Sequence, residues 1–152
     1  MSYLLTNKTK ISNTLLKKLI NFSIPKNTKD FKIKFKYMSE GAFMGKTIEN
    51  KVTIYMNRKP ILPGYSLDKE LEQYGYGKPI ILYTKNELLL SLIAHELRHV
   101  WQNQTGIKKT TDKSKLHIFT HMGNVYTSNP IAEQDATKYS KKIIRKYRKL
   151  NK

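Results

Sequence analysis

One segment of the chain, His95-Glu-Leu-Arg-His99, places two histidines and a glutamate at a spacing that suits metal chemistry. Because four residues turn an α-helix about 40° beyond a full circle, His95 and His99 would project from one face, one turn apart. Two imidazole nitrogens at that separation can bind one tetrahedral Zn²⁺ from the same side. Glu96 lies about 100° further round, where a general base can take a proton from metal-bound water. The spacing therefore predicts a hydrolytic zinc site.

The helix that carries these residues is predicted over 85–105 and has the clearest signals in the sequence. Thr84 and Glu87 form a capping box at its start, and Gly106 stands where a left-handed C-cap is expected. The polar face is a narrow strip, so the helix should run through the core. Two imidazoles and a carboxylate buried there without a metal would leave costly polar groups to satisfy. This favours a metal site over a pair of core histidines.

A hydrolytic zinc site needs a third protein ligand and leaves one position open for water. The last predicted helix offers Glu133 and Asp135 in its first turns, at similar angles on either side of its apolar face. Helical periodicity does not choose between them, and an acidic residue there could instead serve the helix dipole. His117 and His121 form a second pair four residues apart, and either could also be a ligand.

The remaining patterns predict an α+β fold with a small, mainly antiparallel sheet packed on the central helix. Alternating apolar residues and lysines over 31–37 indicate a half-buried strand whose lysine row suits an exposed surface or a sheet edge. The other predicted elements are a helix over 11–22, a hairpin around 49–50, a strand over 79–83 and a helix from 130 to the C-terminus. Prolines and glycines make 57–78 a long connection.

The composition indicates one soluble domain, residues 1–152, because 152 residues are too few for two comfortable domains. The absence of cysteine excludes a disulfide framework, Cys-ligated zinc and Cys nucleophiles. The longest apolar stretch, 88–94, is far short of the roughly 20 residues that a bilayer span needs. Residues 1–22 lack the uninterrupted apolar core of a signal peptide. We therefore expect no membrane span and no classical export, with the cytoplasm as the favoured compartment.

Positive charge dominates, because 29 Lys and Arg against 11 Asp and Glu give a formal net charge of +18. Such an excess attracts polyanions, including nucleic acid. On a helical wheel of the last helix, six basic residues form a stripe suited to phosphate contacts: Lys138, Lys141, Lys142, Arg145, Lys149 and Lys152. The alternative is a solvated helix face in a chain with a lysine-biased composition.

Two stretches of the chain resemble the zincin metallopeptidases of the gluzincin type. They are Ile93-Ala-His-Glu-Leu-Arg-His-Val-Trp-Gln102 and Pro130-Ile-Ala-Glu-Gln-Asp-Ala136. The likeness is greatest to the small single-domain forms of phage-like and mobile-element proteins, and it covers residues 79–145. The order of helix, strands, motif helix and ligand helix also fits a minimal zincin fold.

The resemblance implies zinc-dependent hydrolysis of a peptide bond. His95, His99 and Glu133 would bind zinc, and Glu96 would pass the proton of the attacking water to the leaving amine. The longer side chain of Glu133 also helps it to reach a metal on a neighbouring helix. Asp135 would lie further back and accept a hydrogen bond from a ligand imidazole.

A peptidase also needs a group that stabilises the tetrahedral oxyanion. His117, His121 and Tyr126 precede the ligand helix, and we predict His121 and Tyr126 for this role, with ordinary loop residues as the alternative. In zincins the substrate lies along an edge strand, which the hairpin at 46–56 or the strand before the motif helix could provide.

A second function, from a different class, competes with the peptidase. The chain would be a basic nucleic-acid-binding protein whose zinc site is structural or vestigial. A structural zinc site is closed by four protein ligands, so His117 or His121 as a fourth ligand would favour this alternative. The predicted partners are therefore a peptide or protein substrate and, through the C-terminal stripe, nucleic acid or another polyanion.

Overall fold

The structure, a computed structural model, describes residues 1–38, 44–56, 80–106, 117–121, 124–128 and 130–151, with the backbone alone between 117 and 130. Its elements are β1 (Tyr3–Asn7), α1 (Asn13–Ser23), β2 (Phe31–Tyr37), β3 (Met44–Ile48), β4 (Lys51–Met56), α2 (Lys85–Thr105), β5 (His117–His121), β6 (Asn124–Ser128) and α3 (Pro130–Leu150). The predicted α+β class is confirmed. α1 and α3 both pack on the central helix α2.

The four-stranded sheet has the order β1-β2-β4-β3 and is mixed, not mainly antiparallel as predicted. β1 pairs with β2 and β2 pairs with β4 in parallel, whereas β3 and β4 form the predicted antiparallel hairpin around 49–50. The reason is the connection between strands. α1 returns the chain to the end where β1 began, so β2 runs parallel to β1, while only a tight turn joins β3 to β4. β1 itself was not predicted.

One face of this sheet is buried against the helices. Phe31, Ile33 and Phe35 of β2 are at most 4% exposed, and they alternate with lysines that lie on the other face. α2 packs against β3 and β4 on the buried face. The histidine motif is thereby carried into the core of the protein.

α2 begins and ends where the sequence predicts. The Thr84 hydroxyl accepts a hydrogen bond from the Glu87 backbone N–H at 3.1 Å, and Gly106 closes the helix with a φ of 82°. That left-handed conformation is accessible to glycine without steric conflict. These two caps set the start and end of the helix that carries the motif.

Two further predictions, a long connection over 57–78 and a strand over 79–83, concern the segment before α2. At 80–83 the structure has an isolated bridge at Leu82 where a strand over 79–83 was predicted. The predicted connection 57–78 lies outside the described residues. Among the helices of the described chain, none has both the length and the apolar character needed to cross a membrane.

Candidate metal centre

Three side chains from two helices converge on one point. His95 and His99 come from the middle of α2, and Glu133 comes from the first turn of α3. The Nε2 atoms of His95 and His99 lie 3.0 Å from Glu133 Oε2 and Oε1, respectively, and 3.2 Å from each other. All the candidate ligand atoms lie within 4.8 Å of one another. This cluster could hold a metal ion.

The cluster is buried on one side and open on the other. The side chain of His99 is 5% exposed, whereas those of His95 and Glu133 are 19% and 22% exposed. His99 is therefore packed into the interface of α2 and α3, and the other two side chains border solvent. The cluster therefore lies at the edge of the core and is not fully enclosed by it.

Gln102 determines which nitrogen of His99 carries the proton. The Gln102 amide nitrogen donates to the backbone carbonyl of Ala132 and to Asp135 Oδ2, both at 2.9 Å. Its Oε1 is therefore the acceptor that lies 2.7 Å from His99 Nδ1, so that nitrogen carries the hydrogen. In the neutral imidazole, His99 Nε2 then has a lone pair, and this lone pair faces Glu133.

Glu133 presents a negative charge to the two imidazoles. Burial raises the pKa of Glu133, but hydrogen bonds and charge from His95 and His99 outweigh it, and the pKa lies well below its ordinary value of 4.5. The carboxylate is thus ionised at neutral pH. The hydrogen bond from His99 requires a proton on its Nε2, and with Nδ1 also protonated that imidazole is charged. In the neutral imidazole the Nε2 lone pair would face the carboxylate, and a metal ion could take the place of the proton between these groups.

Asp135 was predicted to accept a hydrogen bond directly from a ligand imidazole, but Gln102 lies between Asp135 and His99. Its carboxylate accepts hydrogen bonds from Gln102 and, at 2.7 and 3.2 Å, from Arg98. Burial raises the pKa of Asp135, but the hydrogen bonds from Arg98 and Gln102 bring it below 3.8. The Arg98 guanidinium also stacks 3.8 Å above the centre of the Trp101 ring. Asp135 therefore reaches His99 through Gln102.

Gln102 is a site residue that the sequence did not predict. Gln102 lies three residues after His99, and positions three apart on a helix are neighbours on its surface, so the spacing could have indicated a contact between the two side chains. The sequence does not show that its amide lies opposite Ala132 and Asp135. That placement depends on how α3 packs on α2.

Glu96 faces the sheet and is 6% exposed. Its carboxylate Oε2 accepts a hydrogen bond from the Thr47 hydroxyl of β3. The neighbouring Gly45 leaves room for it, because a Cβ at that position would lie 2.7 Å from Glu96 Oε1. Glu96 is not a member of the candidate metal cluster among the described residues. The sequence pattern does not indicate these contacts, because Gly45 and Thr47 are 51 and 49 residues away from Glu96 in the chain.

The other predicted site residues lie in the β5–β6 hairpin that precedes α3. In its register His117 pairs with Ser128, Phe119 with Tyr126, and His121 with Asn124. Because His117 and His121 belong to a strand, their Cα atoms lie about 13 Å apart, and their spacing does not bring them together as it would in a helix. The side chains of His117, His121 and Tyr126 lie outside the described part of the structure, so their roles stay predictions.

Comparison of the chain with protein-family models, curated proteins and solved structures found no match. The resemblance to gluzincins therefore stays a prediction, which rests on the motif helix and the helix that follows it.

Proposed function

We propose that the chain is a zinc-dependent metallopeptidase. The observation that carries this proposal is the convergence of two imidazoles and an ionised carboxylate on one point between α2 and α3. Two nitrogen donors and one oxygen donor match the ligand set of hydrolytic zinc sites, which keep a further position open. The partial exposure of His95 and Glu133 supports an open position on the outer side.

The surrounding residues prepare the cluster for a metal. Gln102 holds the hydrogen on His99 Nδ1, so the Nε2 lone pair is available as a ligand without a change of tautomer. The two hydrogen bonds that Gln102 donates prevent its amide from turning round. An additional proton would satisfy the same acceptors only while one imidazole is charged, whereas a divalent ion would satisfy them with both imidazoles neutral.

Glu96 is the residue that would move the proton. A bound zinc ion supplies Lewis-acid activation of water and of the scissile carbonyl. Glu96 would accept the proton of the attacking water and deliver it to the leaving amine. The hydroxyl of Thr47 and the space beside Gly45 keep its carboxylate in one orientation.

The sheet edge next to Glu96 supports a peptide as the substrate. β3 is the terminal strand of the described sheet, so its outer backbone groups are free of a partner strand within that sheet. An extended peptide can pair with such an edge through main-chain hydrogen bonds. β3 also contacts α2 directly, which would hold a bound peptide beside the motif helix.

The test combines zinc analysis with hydrolysis of labelled casein and a pool of denatured proteins. We expect about one zinc per chain after dialysis against the metal, and hydrolysis that a chelator abolishes. Glu96→Gln should keep zinc and lose hydrolysis, because an amide cannot accept the proton. Glu49→Gln, the same substitution at an exposed turn, is the matched control and should keep both. A wild-type chain that takes up no zinc would end the proposal, and zinc loss in Glu96→Gln as complete as in His95→Ala would make Glu96 a ligand.

The alternative, a nucleic-acid-binding protein with a structural zinc site, requires a fourth protein ligand. The cluster among the described residues has three members. Replacement of zinc by Co²⁺ separates the two functions, because a site with an open position changes its visible spectrum when azide or a hydroxamate binds. A spectrum insensitive to such ligands would favour the structural site.

A further inference from the structure

The sheet face opposite the helices carries a concentration of lysines. Five of them lie on this open face, which we define by Lys32, Lys34, Lys36, Lys46 and Lys51. They share it with Leu4, Thr6, Met44, Ile48, Thr53 and Tyr55. None of the four strands contains Asp or Glu. Among the ion pairs of the described residues, none involves these five lysines.

The register brings like charges together across strands. Lys32 of β2 lies directly opposite Lys51 of β4. In the next row Lys34 lies opposite Thr53, which in turn lies opposite Lys46 of β3. Like charges directly opposite each other destabilise a sheet. The fold thus maintains a positive face that its own strands do not neutralise.

A shallow groove crosses this face between β1, β2 and β4. It has a volume of about 400 Å³. Its lining includes the side chains that alternate towards the open face: Leu4, Thr6, Lys32, Lys34, Lys51 and Thr53. Three lysines, Lys32, Lys34 and Lys51, therefore line a shallow groove that could accommodate an extended polyanion.

We propose that the open face binds the phosphodiester backbone of single-stranded nucleic acid. Successive lysines on β2 are about 6.6 Å apart, and neighbouring strands are about 4.8 Å apart, so ammonium groups can follow consecutive phosphates. Tyr55 is the aromatic residue on the face, and Lys36 already covers its ring at 5.0 Å. Binding is therefore dominated by phosphates and independent of base sequence.

An anionic membrane fits this face less well. Membrane surfaces bind through contiguous apolar side chains that enter the lipid as well as through charge. The strongly exposed apolar residues of the open face, Leu4 at 65% and Ile48 at 58%, lie on opposite edge strands with lysines between them. Charge without a contiguous apolar patch among the described residues of this face favours a flexible, hydrated polyanion.

The basic stripe predicted on the last helix provides a matched comparison. Lys141 is buried, being 7% exposed, so it does not belong to that stripe, and Lys152 lies outside the described residues. Lys138, Lys142 and Arg145 are exposed on α3. Replacing these three residues lowers the net charge by the same amount as replacing three lysines of the open face.

The experiment measures binding of a fluorescein-labelled oligothymidylate by anisotropy across a range of KCl concentrations. Lys32→Gln/Lys34→Gln/Lys51→Gln should weaken binding and reduce the slope of log K against log[salt] by about 2, since each lost phosphate contact removes about 0.7. The α3 variant Lys138→Gln/Lys142→Gln/Arg145→Gln should leave the slope nearly unchanged. Replacing the three sheet lysines by arginine should restore it.

Several outcomes would overturn the proposal. The first group concerns the variants: an equal loss of oligonucleotide affinity in both charge-matched variants, or a loss in the α3 variant alone. The second group concerns the ligand: no binding of the oligonucleotide at low salt, or tighter binding of a duplex of the same length. Preferential displacement of the oligonucleotide by phosphatidylserine vesicles would assign the face to a membrane instead. Thermal unfolding of each variant checks that the fold is intact. Removing the Lys32–Lys51 repulsion should not lower the unfolding midpoint.

Discussion

The two sides of α2 are supported in different ways. The histidine side faces α3, and Gln102 connects it to Ala132 and Asp135 through a continuous set of hydrogen bonds. The glutamate side faces β3, where Thr47 donates one hydroxyl to Glu96 and Gly45 provides the space for its carboxylate. Hydrogen bonds between α2 and α3 support the histidine side, whereas close packing against Gly45 is the main support of the glutamate side.

This difference matches what each side is proposed to do. Metal ligands must keep their positions before the ion binds, and hydrogen bonds to their outer atoms secure that. A proton-transferring carboxylate needs unused acceptor positions, and one hydroxyl leaves several free. Changes on the histidine side should therefore alter zinc affinity, whereas changes on the glutamate side should alter the rate and leave the metal bound.

The largest effect is expected from Glu133→Ala, which removes a proposed ligand. Its zinc affinity should fall by well over 100-fold, whereas Asp135→Ala, acting through Gln102, should lose about 10-fold to 100-fold. Competition with a chelator of known zinc affinity measures both. The reverse order would transfer the ligand role to Asp135, and retention by both variants would point to His117 or His121.

Gly45→Ala tests the glutamate side. The new methyl group would lie 2.7 Å from Glu96 Oε1, so the carboxylate must move. Because a displacement of about 1 Å can lower a rate about 100-fold, hydrolysis should fall by that order while zinc affinity is unchanged. Lys46→Ala, which changes the neighbouring side chain on the opposite face, should retain activity. Full activity in Gly45→Ala would mean that β3 does not position the base.

Gln102→Leu tests the link between His99 and α3. It removes the acceptor of His99 Nδ1 and the hydrogen bond that the Gln102 amide donates to the Ala132 carbonyl. Zinc affinity should fall about 10-fold, and the free energy of unfolding of the zinc-free protein should fall by about 1–3 kcal/mol. The hydrolytic rate of the zinc-loaded variant should stay close to that of the wild type. A large rate loss at full zinc occupancy would show that the two sides are not independent.

The smallest expected effect is a loss of stability at the far end of the same helix pair. There Arg148 of α3 contacts Glu87 of α2 at 2.7 Å. The hydrogen bond from Arg148, with smaller contributions from Tyr83 and charge, outweighs burial and lowers the pKa of Glu87 below 4.5. The stabilisation is therefore complete above pH 4.5 and is lost as the pH falls through the lower pKa of the folded state.

Glu87→Gln measures this contribution. Arg148 is about a third exposed, so the pair should contribute about 1 kcal/mol to the free energy of unfolding at neutral pH. The difference between wild type and Glu87→Gln, measured by urea unfolding of the zinc-free protein, should shrink on acidification. Zinc affinity at neutral pH should be the same in both. A difference that grows at low pH would contradict the assignment.

The sequence by itself determined what depends on neighbours in the chain. The caps Thr84 and Gly106 fixed the bounds of α2, and helical geometry alone placed His95 and His99 on one face. The alternation over 31–37 identified β2 and assigned its lysines to the other face. These features follow from spacing of a few residues, which the chain shows directly.

Only the tertiary structure decided how distant segments meet. The helical wheel left Glu133 and Asp135 tied, and the packing of α3 on α2 brings Glu133 to the histidines and Asp135 to Arg98. The parallel pairing of β1 with β2 depends on the path of α1, and the contacts of Gly45 and Thr47 with Glu96 join residues about 50 positions apart. Such contacts depend on the docking of whole elements through their buried faces, and local propensity and periodicity do not specify that docking.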